Sequence, residues 1–345
     1  MRLAALFLLL ATCVPCTAQT PDCAHLQPKI DIAMRLLDQN RIAEAEPLFA
    51  SPGNLPTDCP AVLLPLARLR AAQNNINESG KLFVQYLQAE PKDPEGPFYF
   101  GTVLLRIAYY PQAEAMADRA LELNPSHVGA LTLKGQLLAM RGQPAEAQQS
   151  LERAIAAEPK SAGPHFQLGA LFDRRKQHED AVKQFETVIA LTPSDARAYD
   201  YLAMNLEQLG NAERAENAFR RGLAVNAGPL SDSFLDFNYG RFLLKRNRLR
   251  ESQDHLNRAV EIAPRVRAVL YERGKLNLRL GHLSEAAQDA RRALDAADPG
   301  HVILDLQVYY LLAECYARLG DAAGAAKYTL LAQEAKIPSR SVERK

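Results

Sequence analysis

Apolar and small residues recur along this chain at helical spacing, in a phrase that repeats over most of its length. The clearest copy begins at Ala162, where Leu168 and Phe172 lie four residues apart and therefore share one face of a helix. Gly169 and Ala181 are small, as two closely crossing helices require. The pattern predicts a first helix, a polar turn and a second helix in each copy.

Four prolines mark the period of the phrase. Each lies 34 residues from the next, at Pro91, Pro125, Pro159 and Pro193. Proline lacks the backbone donor that a helix needs, so each one ends a second helix. A fixed period of this size is typical of stacked helical repeats, in which every unit needs its neighbours to bury its apolar face. We expect Phe185 to fill the space between a second helix and the following unit.

The landmarks of the clearest copy run in the order His165-x-x-Leu168-Gly169-x-x-Phe172, Ala181-x-x-x-Phe185 and Pro193. This order resembles the tetratricopeptide repeat, whose pattern is Trp-x-x-Leu-Gly-x-x-Tyr, then Ala-x-x-x-Phe, then Pro. Here His165 replaces the opening aromatic residue and Phe172 replaces the tyrosine. The resemblance implies an all-α fold, a right-handed superhelical solenoid of about nine tetratricopeptide-type helix pairs.

Two departures interrupt the register. Pro229 closes its unit late, which predicts a short insertion around Gly228, and Pro47 cuts short the second helix of a degenerate unit near Leu26. We therefore predict four segments: a signal peptide over residues 1–18, an N-terminal segment with a degenerate capping helix pair over 19–59, the repeat array over 60–335, and a polar tail over 336–345.

The first residues have the pattern of an export signal. Arg2 precedes an apolar run from Leu3 to Ala11, and the small residues Cys16-Thr17-Ala18 stand before Gln19. The run is too short to cross a bilayer as a helix, which takes about 20 residues. We expect an exported protein, either periplasmic or extracellular.

Cysteines leave two questions open. Leu10-Ala11-Thr12-Cys13 resembles a bacterial lipobox, although threonine departs from the usual small residue; membrane anchoring is expected only if Cys13 is lipidated. Cys23 and Cys59 flank the first helix pair and either form a disulfide that staples it or remain free thiols. Cys315 lies between apolar neighbours and is interpreted as a packing residue.

The resemblance also implies where a partner would bind. In tetratricopeptide proteins the first helices line a concave groove that takes extended peptides or partner helices. The corresponding inner-face positions are Phe98, Arg106, Gln136, Phe166, Asp200, Met204, Phe237, Arg241, Lys245, Tyr271, Lys275 and Arg279. Phe166, Met204 and Phe237 form either an apolar strip for ligand contact or packing between adjacent first helices. Arg241, Lys245, Lys275 and Arg279 form either one basic patch or a solvated face.

Composition and motifs narrow the function mainly by exclusion. Lys and Arg number 41 against 40 Asp and Glu, a net charge of +1 that favours neither nucleic acid nor anionic lipid as a partner. The seven histidines lack metal-ligand spacing, and His165 is interpreted as a packed imidazole. Because no phosphate loop, dinucleotide fingerprint or nucleophile elbow is present, we expect no catalytic residues, metal or cofactor.

The sequence thus favours a non-enzymatic scaffold that binds a protein or peptide in an exported setting. Two alternatives remain open. One is an envelope-assembly lipoprotein of the kind that helps to build pili or outer-membrane machines. The other is an enzyme or glycan-related module with an unrecognised site.

Overall fold

The computed structural model describes residues 24–49, 59–296, 298 and 303–336. The predicted signal peptide, Cys13, Cys23 and the tail beyond Lys336 lie outside these ranges. Every regular element within them is a helix, as the repeat pattern predicted. The chain divides into two compact units, one ending at Ala157 and the other beginning at Glu158.

The first unit contains eight of the described α-helices. They are α1 (Gln27–Asp38), α2 (Ile42–Ala45), α3 (Pro60–Ala72), α4 (Ile76–Ala89), α5 (Glu95–Arg106), α6 (Tyr110–Leu123), α7 (Val128–Met140) and α8 (Pro144–Ala157). Helix α2 is short because the backbone changes to a 3-10 turn at Glu46–Leu48, which contains Pro47. The first helices α1, α3, α5 and α7 contact one another in succession.

The second unit contains ten described α-helices. They are α9 (Ala162–Arg174), α10 (His178–Leu191), α11 (Ala196–Gln208), α12 (Ala212–Val225), α13 (Leu235–Lys245), α14 (Leu249–Ile262), α15 (Arg267–Leu280), α16 (Leu283–Asp295), α17 (Asp305–Leu319) and α18 (Ala322–Lys336). Each odd-numbered helix packs on the helix that follows it. The first helices α9, α11, α13, α15 and α17 also contact one another in succession.

Small landmark residues lie where the two helices of a pair approach most closely. A Cβ on Gly135 would stand 2.7 Å from Leu151 Cγ and 3.2 Å from the carbonyl oxygen of Ala147, and Ala147 itself is fully buried. Gly240 is equally confined, with Leu256 Cγ 2.7 Å from a built Cβ. A larger side chain at either glycine would push the helices apart.

Aromatic residues of the second helices join successive pairs. The rings of Phe83 and Phe100 stack with centroids 5.0 Å apart, and Phe219 stacks on Tyr239 at 5.2 Å. Phe185 stacks on Tyr201 of α11 at 5.2 Å and is fully buried. It therefore fills the space between α10 and the next pair, as predicted.

The turn inside each pair repeats one backbone conformation. A residue with positive φ follows each of the nine described first helices, at Asn40, Asn74, Ala108, Gly142, Lys176, Gly210, Asn247, Gly281 and Gly320. From Asn74 to Gly210 these positions keep the 34-residue period. Ala108 (φ 61°) and Lys176 (φ 59°) adopt this left-handed conformation despite carrying a Cβ, which disfavours it.

At three places in the described chain, an arginine near the end of one first helix caps the preceding first helix. Arg279 Nη1 donates to the carbonyl oxygen of Leu244 at 2.8 Å, and Arg318 Nη1 donates to that of Leu278 at 3.0 Å. In the first unit Arg106 donates to the carbonyl oxygen of Ala71. Each of these carbonyls lies in the last turn of its helix, where intrahelical donors run out. The caps therefore tie neighbouring pairs together.

The predicted insertion forms an ordered connection between α12 and α13. A 3-10 turn spans Gly228–Leu230. Asn226 Nδ2 donates to the carbonyl oxygen of Asp232 at 2.9 Å, while Asp232 N donates to Asn226 Oδ1 at 2.6 Å. Asp232 Oδ1 accepts a hydrogen bond from the backbone N of Phe234 at 2.7 Å. These bonds fix the loop against the start of α13.

Membrane-spanning helices are not found among the described residues, since none of their helices combines the length and the apolarity that a bilayer requires.

Candidate functional site

A cleft of about 490 Å³ opens in the second unit beside the insertion. Its walls come from α9, α11, the loop before α13 and α13 itself. The residues that line it are Phe166, Arg197, Asp200, Tyr201, Met204, Ser231, Asp232, Ser233, Phe234 and Asn238. Three of the predicted inner-face residues, Phe166, Asp200 and Met204, thus share one site with the insertion.

Asp200 is the most unusual group in the cleft. The residue is 2% exposed, and its Oδ2 accepts a hydrogen bond from Asn238 Nδ2 at 2.7 Å. Its Oδ1 accepts no hydrogen bond from any described residue. A buried carboxyl oxygen without a donor is costly in a folded protein. Asp200 is therefore a group for which a ligand could supply the missing donor.

Burial, followed by the negative charge of Asp232, raises the pKa of Asp200 well above its ordinary value. A hydrogen bond between the carboxyls of Asp200 and Asp232 adds to the rise, while the hydrogen bond from Asn238 and the positive charge of Arg241 oppose it without cancelling it. Both carboxyls line the cleft, and neither forms an ion pair with another described residue. The two carboxyls therefore resist joint ionisation, and no ion pair of the described residues relieves this conflict.

Arg197 also lines the cleft, but its charge is already matched. Its Nε and Nη2 donate to the two carboxylate oxygens of Asp195 at 2.9 and 2.7 Å. Its guanidinium carbon lies 5.0 Å from the centroid of the Phe166 ring. Arg197 therefore buttresses the aromatic wall and contributes little net positive charge to the cleft.

Aromatic side chains form the apolar part of the cleft. The Phe166 ring meets Tyr201 edge-on, with centroids 5.5 Å apart, and meets Phe185 in the same way at 5.6 Å. Phe234 is 41% exposed at the rim and lies 6.4 Å from Phe237, which is buried. Phe234 thus presents ring surface to an incoming group, whereas Phe237 supports it from below.

The predicted apolar strip therefore divides in two. Phe166 and Met204, both half-buried, line the cleft, while Phe237 packs behind Phe234. Arg241 stands over the Phe237 ring, its guanidinium carbon 5.7 Å from the centroid, and its buried Nε lacks a hydrogen-bond partner in the described part of the chain.

The other three residues of the predicted basic set have partners within the fold. Lys245 Nζ lies 3.1 Å from Glu207 Oε1, and Lys275 Nζ lies 2.9 Å from Glu272 Oε2. Arg279 caps α13 and also donates to Asn247 Oδ1 at 2.8 Å. Lys275 additionally lies 5.3 Å from the centroid of the half-buried Tyr271 ring. Arg241 is the member of this set whose charge the described residues leave unpaired.

The predicted residues Phe98, Arg106 and Gln136 belong to the first unit and are not among the lining residues of this cleft. The Phe98 ring packs on Gly129, where a built Cβ would stand 2.5 Å from Phe98 Cζ, and it lies 5.0 Å from His127. Arg106 caps α3. Gln136 is half-buried on α7. Phe98 and Arg106 thus already have packing and hydrogen-bond partners within the first unit.

Cys59 is buried and takes part in a disulfide, while Cys23, its predicted partner, lies outside the described residues. The pairing of these two cysteines stays a prediction. Cys315 is a fully buried free thiol whose pKa burial raises to about 11, in keeping with a packing role.

His165 is buried, with Nδ1 2.8 Å from Gln184 Oε1 and Nε2 3.2 Å from the carbonyl oxygen of Pro159. Both ring nitrogens thus have partners within the second unit, as a packed imidazole requires. Across the described ranges, no three His, Cys, Asp or Glu side chains are grouped as a metal site would need.

Sequence reasoning missed the loop wall of the cleft and three of its helix residues, Arg197, Tyr201 and Asn238. Asp232 and Phe234 belong to the insertion, so a position list based on the repeat does not reach them. Tyr201 and Asn238 lie on first helices one position after an inner-face residue. The displaced Pro229 was the one signal in the sequence that pointed to this place.

The tetratricopeptide repeat family model matches residues 98–162, 141–196, 166–232 and 237–302, which together make up more than half of the chain. Curated proteins gave no match.

Solved structures agree on the fold. The Cut9–Hcn1 hetero-tetramer of the APC/C aligns with a TM-score of 0.65 at 15% identity, over 82% of this chain and 55% of that one. PilW, a widely conserved type IV pilus biogenesis factor, gives 0.53 at 17% identity, over 60% of this chain and 92% of its own.

A tetratricopeptide repeat protein from Parabacteroides merdae gives a TM-score of 0.50 at 18% identity, over 71% of this chain and 94% of that one. At such low identity these likenesses concern the fold alone. Tetratricopeptide repeats typically form non-enzymatic scaffolds for protein interaction. With its family model, helix pairs and landmark residues in agreement, the chain belongs to the tetratricopeptide repeat family.

Proposed function

We propose that this protein binds a protein or peptide partner through the first helices of its second unit, with the cleft beside the insertion as the anchor point. The observation that carries the proposal is the cleft itself. It combines an exposed aromatic ring at Phe234 with a buried, incompletely bonded carboxyl at Asp200. Interfaces concentrate their binding energy in such aromatic and charged anchors.

The setting we propose is outside the cytosol. Support comes from the apolar run between Leu3 and Ala11, the small residues before Gln19 and the disulfide at Cys59. Disulfides persist mainly in oxidising compartments. Fractionation of the native host, followed by immunodetection, tests this setting; recovery in the cytosol alone would exclude it.

The binding role is tested by crosslinking the full-length protein in its native host and identifying the captured proteins. We expect a specific partner that is lost in a Met204→Ala/Phe234→Ala variant, because both side chains line the cleft and neither is fully buried. Ile262→Ala is the matched control, since Ile262 is 54% exposed and lies outside the cleft. Unchanged capture by the cleft variant, with its helical circular dichroism intact, would contradict the proposal.

The second candidate is a role in assembling the cell envelope, for which the fold shared with PilW is compatible support. Such a role would suit a lipid anchor on Cys13. Mass spectrometry of the mature N-terminus separates the two candidates: a diacylglyceryl group on Cys13 favours assembly at a membrane, and an unmodified start at Gln19 favours a free scaffold.

A further inference from the structure

We propose that the cleft recognises a cationic side chain of the partner, an arginine or a lysine, and holds its charged head between the carboxyls of Asp200 and Asp232. This inference rests on the proposed function for the partner's existence. It specifies which chemical group of the partner the cleft binds, and the experiment that tests it uses no partner protein.

Charge is the first argument. Three charged residues line the cleft, and Asp195 already neutralises the Arg197 guanidinium through two hydrogen bonds. Asp200 and Asp232 remain without an ion pair among the described residues. Two neighbouring carboxyls resist joint ionisation, because each disfavours the charge of the other. A bound cation removes this conflict and allows both groups to ionise.

Unfulfilled hydrogen bonding is the second argument. Asp200 is 2% exposed, and its Oδ1 has no donor from the described residues. Asp232 is partly exposed at the rim and uses Oδ1 for the backbone N of Phe234. Ammonium and guanidinium groups bring several N–H donors and no acceptor, so they suit carboxyl oxygens of this kind.

The aromatic wall is the third argument. Phe166 and Tyr201 form one side of the cleft, and the exposed ring of Phe234 forms the rim. Such rings cover the aliphatic stem of a lysine or arginine and attract its charged head. A neutral or acidic side chain of equal length would gain the apolar contact and leave the two carboxyls unsatisfied.

Arg197 already interacts electrostatically with Asp232, and Arg241 competes with such a ligand for Asp200. Its charge lowers the pKa of Asp200, and its own Nε is buried without a partner among the described residues. The guanidinium nevertheless lies over the Phe237 ring and forms no ion pair with Asp200. Arg241 thus leaves both carboxyls of the cleft without an ion pair among the described residues.

Methyl NMR of the full-length protein provides the test. The chain has five methionines, so a sample labelled at the methionine methyl groups gives few signals, and Met204→Leu identifies the signal of the cleft. The probes are acetyl-arginine amide and acetyl-lysine amide, with acetyl-citrulline amide and acetyl-norleucine amide as neutral counterparts. We expect the cationic probes to shift the Met204 signal saturably, and the neutral probes to bind at least tenfold more weakly.

Two substitutions locate the recognition. Asp200→Asn and Asp232→Asn should each weaken cationic binding by about tenfold, since each removes one charge-assisted contact. Asp254→Asn is the matched control, because Asp254 is exposed on α14 and does not line the cleft. Equal shifts with the citrulline probe, or unchanged affinity in both cleft variants, would overturn the proposal. Asp232 lies on the loop, so its variant keeps the test decisive if Asp200→Asn impairs folding.

The probes also separate this inference from the proposed function. Saturable binding of the cationic probes, together with unchanged capture by the Met204→Ala/Phe234→Ala variant, would leave the cation site standing and remove the partner-binding role. Loss of capture without any cation preference would leave the partner role and remove the cation site.

Discussion

Asn238 of α13 donates a hydrogen bond from Nδ2 to Oδ2 of Asp200 on α11, at 2.7 Å, and leaves Oδ1 of the same carboxyl without a donor among the described residues. The bond joins two first helices of successive pairs at the floor of the cleft. The unpaired Oδ1 of this buried carboxyl affects the stability of the protein as well as binding.

Asp200→Asn should raise the stability of the protein at neutral pH. Burial, and then the charge of Asp232, raises the pKa of Asp200 in the folded state, so the folded protein binds a proton that the unfolded chain has released. Stability from this group is present below the ordinary pKa and is lost as pH rises through the raised folded value. Asparagine avoids that loss and can still accept the bond from Asn238.

Thermal unfolding between pH 3 and pH 8 measures this effect. We expect the midpoint of Asp200→Asn to exceed that of the wild type by a few degrees at pH 8 and to converge with it near pH 3. Asp254→Asn, exposed on α14, should follow the wild type throughout. Parallel curves for Asp200→Asn and wild type would show that the carboxyl carries no buried charge.

Lys176→Gly should stabilise the second unit by about 0.5–1 kcal/mol. Lys176 has a φ of 59° in the turn between α9 and α10, a conformation that glycine adopts without the penalty of a Cβ. Urea unfolding measures the gain. Gly210 occupies the same turn position one pair later, with a φ of 77°. Gly210→Ala should lower the free energy of unfolding by a similar amount. Destabilisation by Lys176→Gly would mean that the lysine side chain contributes more than its backbone strain.

Arg273→Met should destabilise the second unit by about 3–5 kcal/mol, the usual cost of stranding a buried charge. Arg273 Nε and Nη2 donate to Asp289 at 2.8 and 2.7 Å, and Asp289 is 2% exposed. After the substitution the carboxyl keeps a hydrogen bond from Asn277 at 3.1 Å and a more distant arginine, Arg292, at 3.6 Å.

The double variant Arg273→Met/Asp289→Leu separates charge from packing. If the cost comes from the stranded carboxylate, removing both partners should recover most of the lost stability, which a double-mutant cycle in urea quantifies. A cost of under about 1 kcal/mol for Arg273→Met alone would indicate that water solvates Asp289 adequately.

Arg279→Ala should destabilise the C-terminal end of α13, although Arg279 lies 35 residues after Leu244 in the sequence. The substitution removes the hydrogen bonds to the carbonyl oxygen of Leu244 and to Asn247 Oδ1, with a loss of about 0.5–1.5 kcal/mol. Hydrogen exchange should accelerate at the backbone N–H of Asn247, which donates to the same carbonyl at 3.1 Å. Arg250→Ala, an exposed arginine on α14, is the control and should leave this exchange unchanged.

The repeat itself could be predicted because its determinants are local. Gly135 and Ala147 allow two helices to approach closely, and Pro159 prevents a helix from continuing, so the residue type alone reveals the role of each. The repeat pattern also predicted the position of Phe185 between α10 and the following pair, and the structure confirms it.

The cleft could be predicted only in part, since its walls combine two kinds of position. Phe166, Asp200 and Met204 follow from the repeat register. Asp232 and Phe234 are placed by hydrogen bonds of Asn226 within an irregular loop, which no periodicity describes. The ion pairs of the basic residues could not be predicted either, because Lys245 contacts Glu207, which lies 38 residues away in the sequence.

The arginine caps between first helices are completed only after the capped helix has been synthesised. Ala71 offers its carbonyl to Arg106, which the ribosome adds 35 residues later, and Leu244 waits the same interval for Arg279. Each of these two helices is therefore finished by residues that emerge roughly one repeat after it. While the chain is being synthesised, α3 and α13 therefore each remain incompletely capped until the next repeat has emerged, and a truncation just after either helix would leave it so permanently.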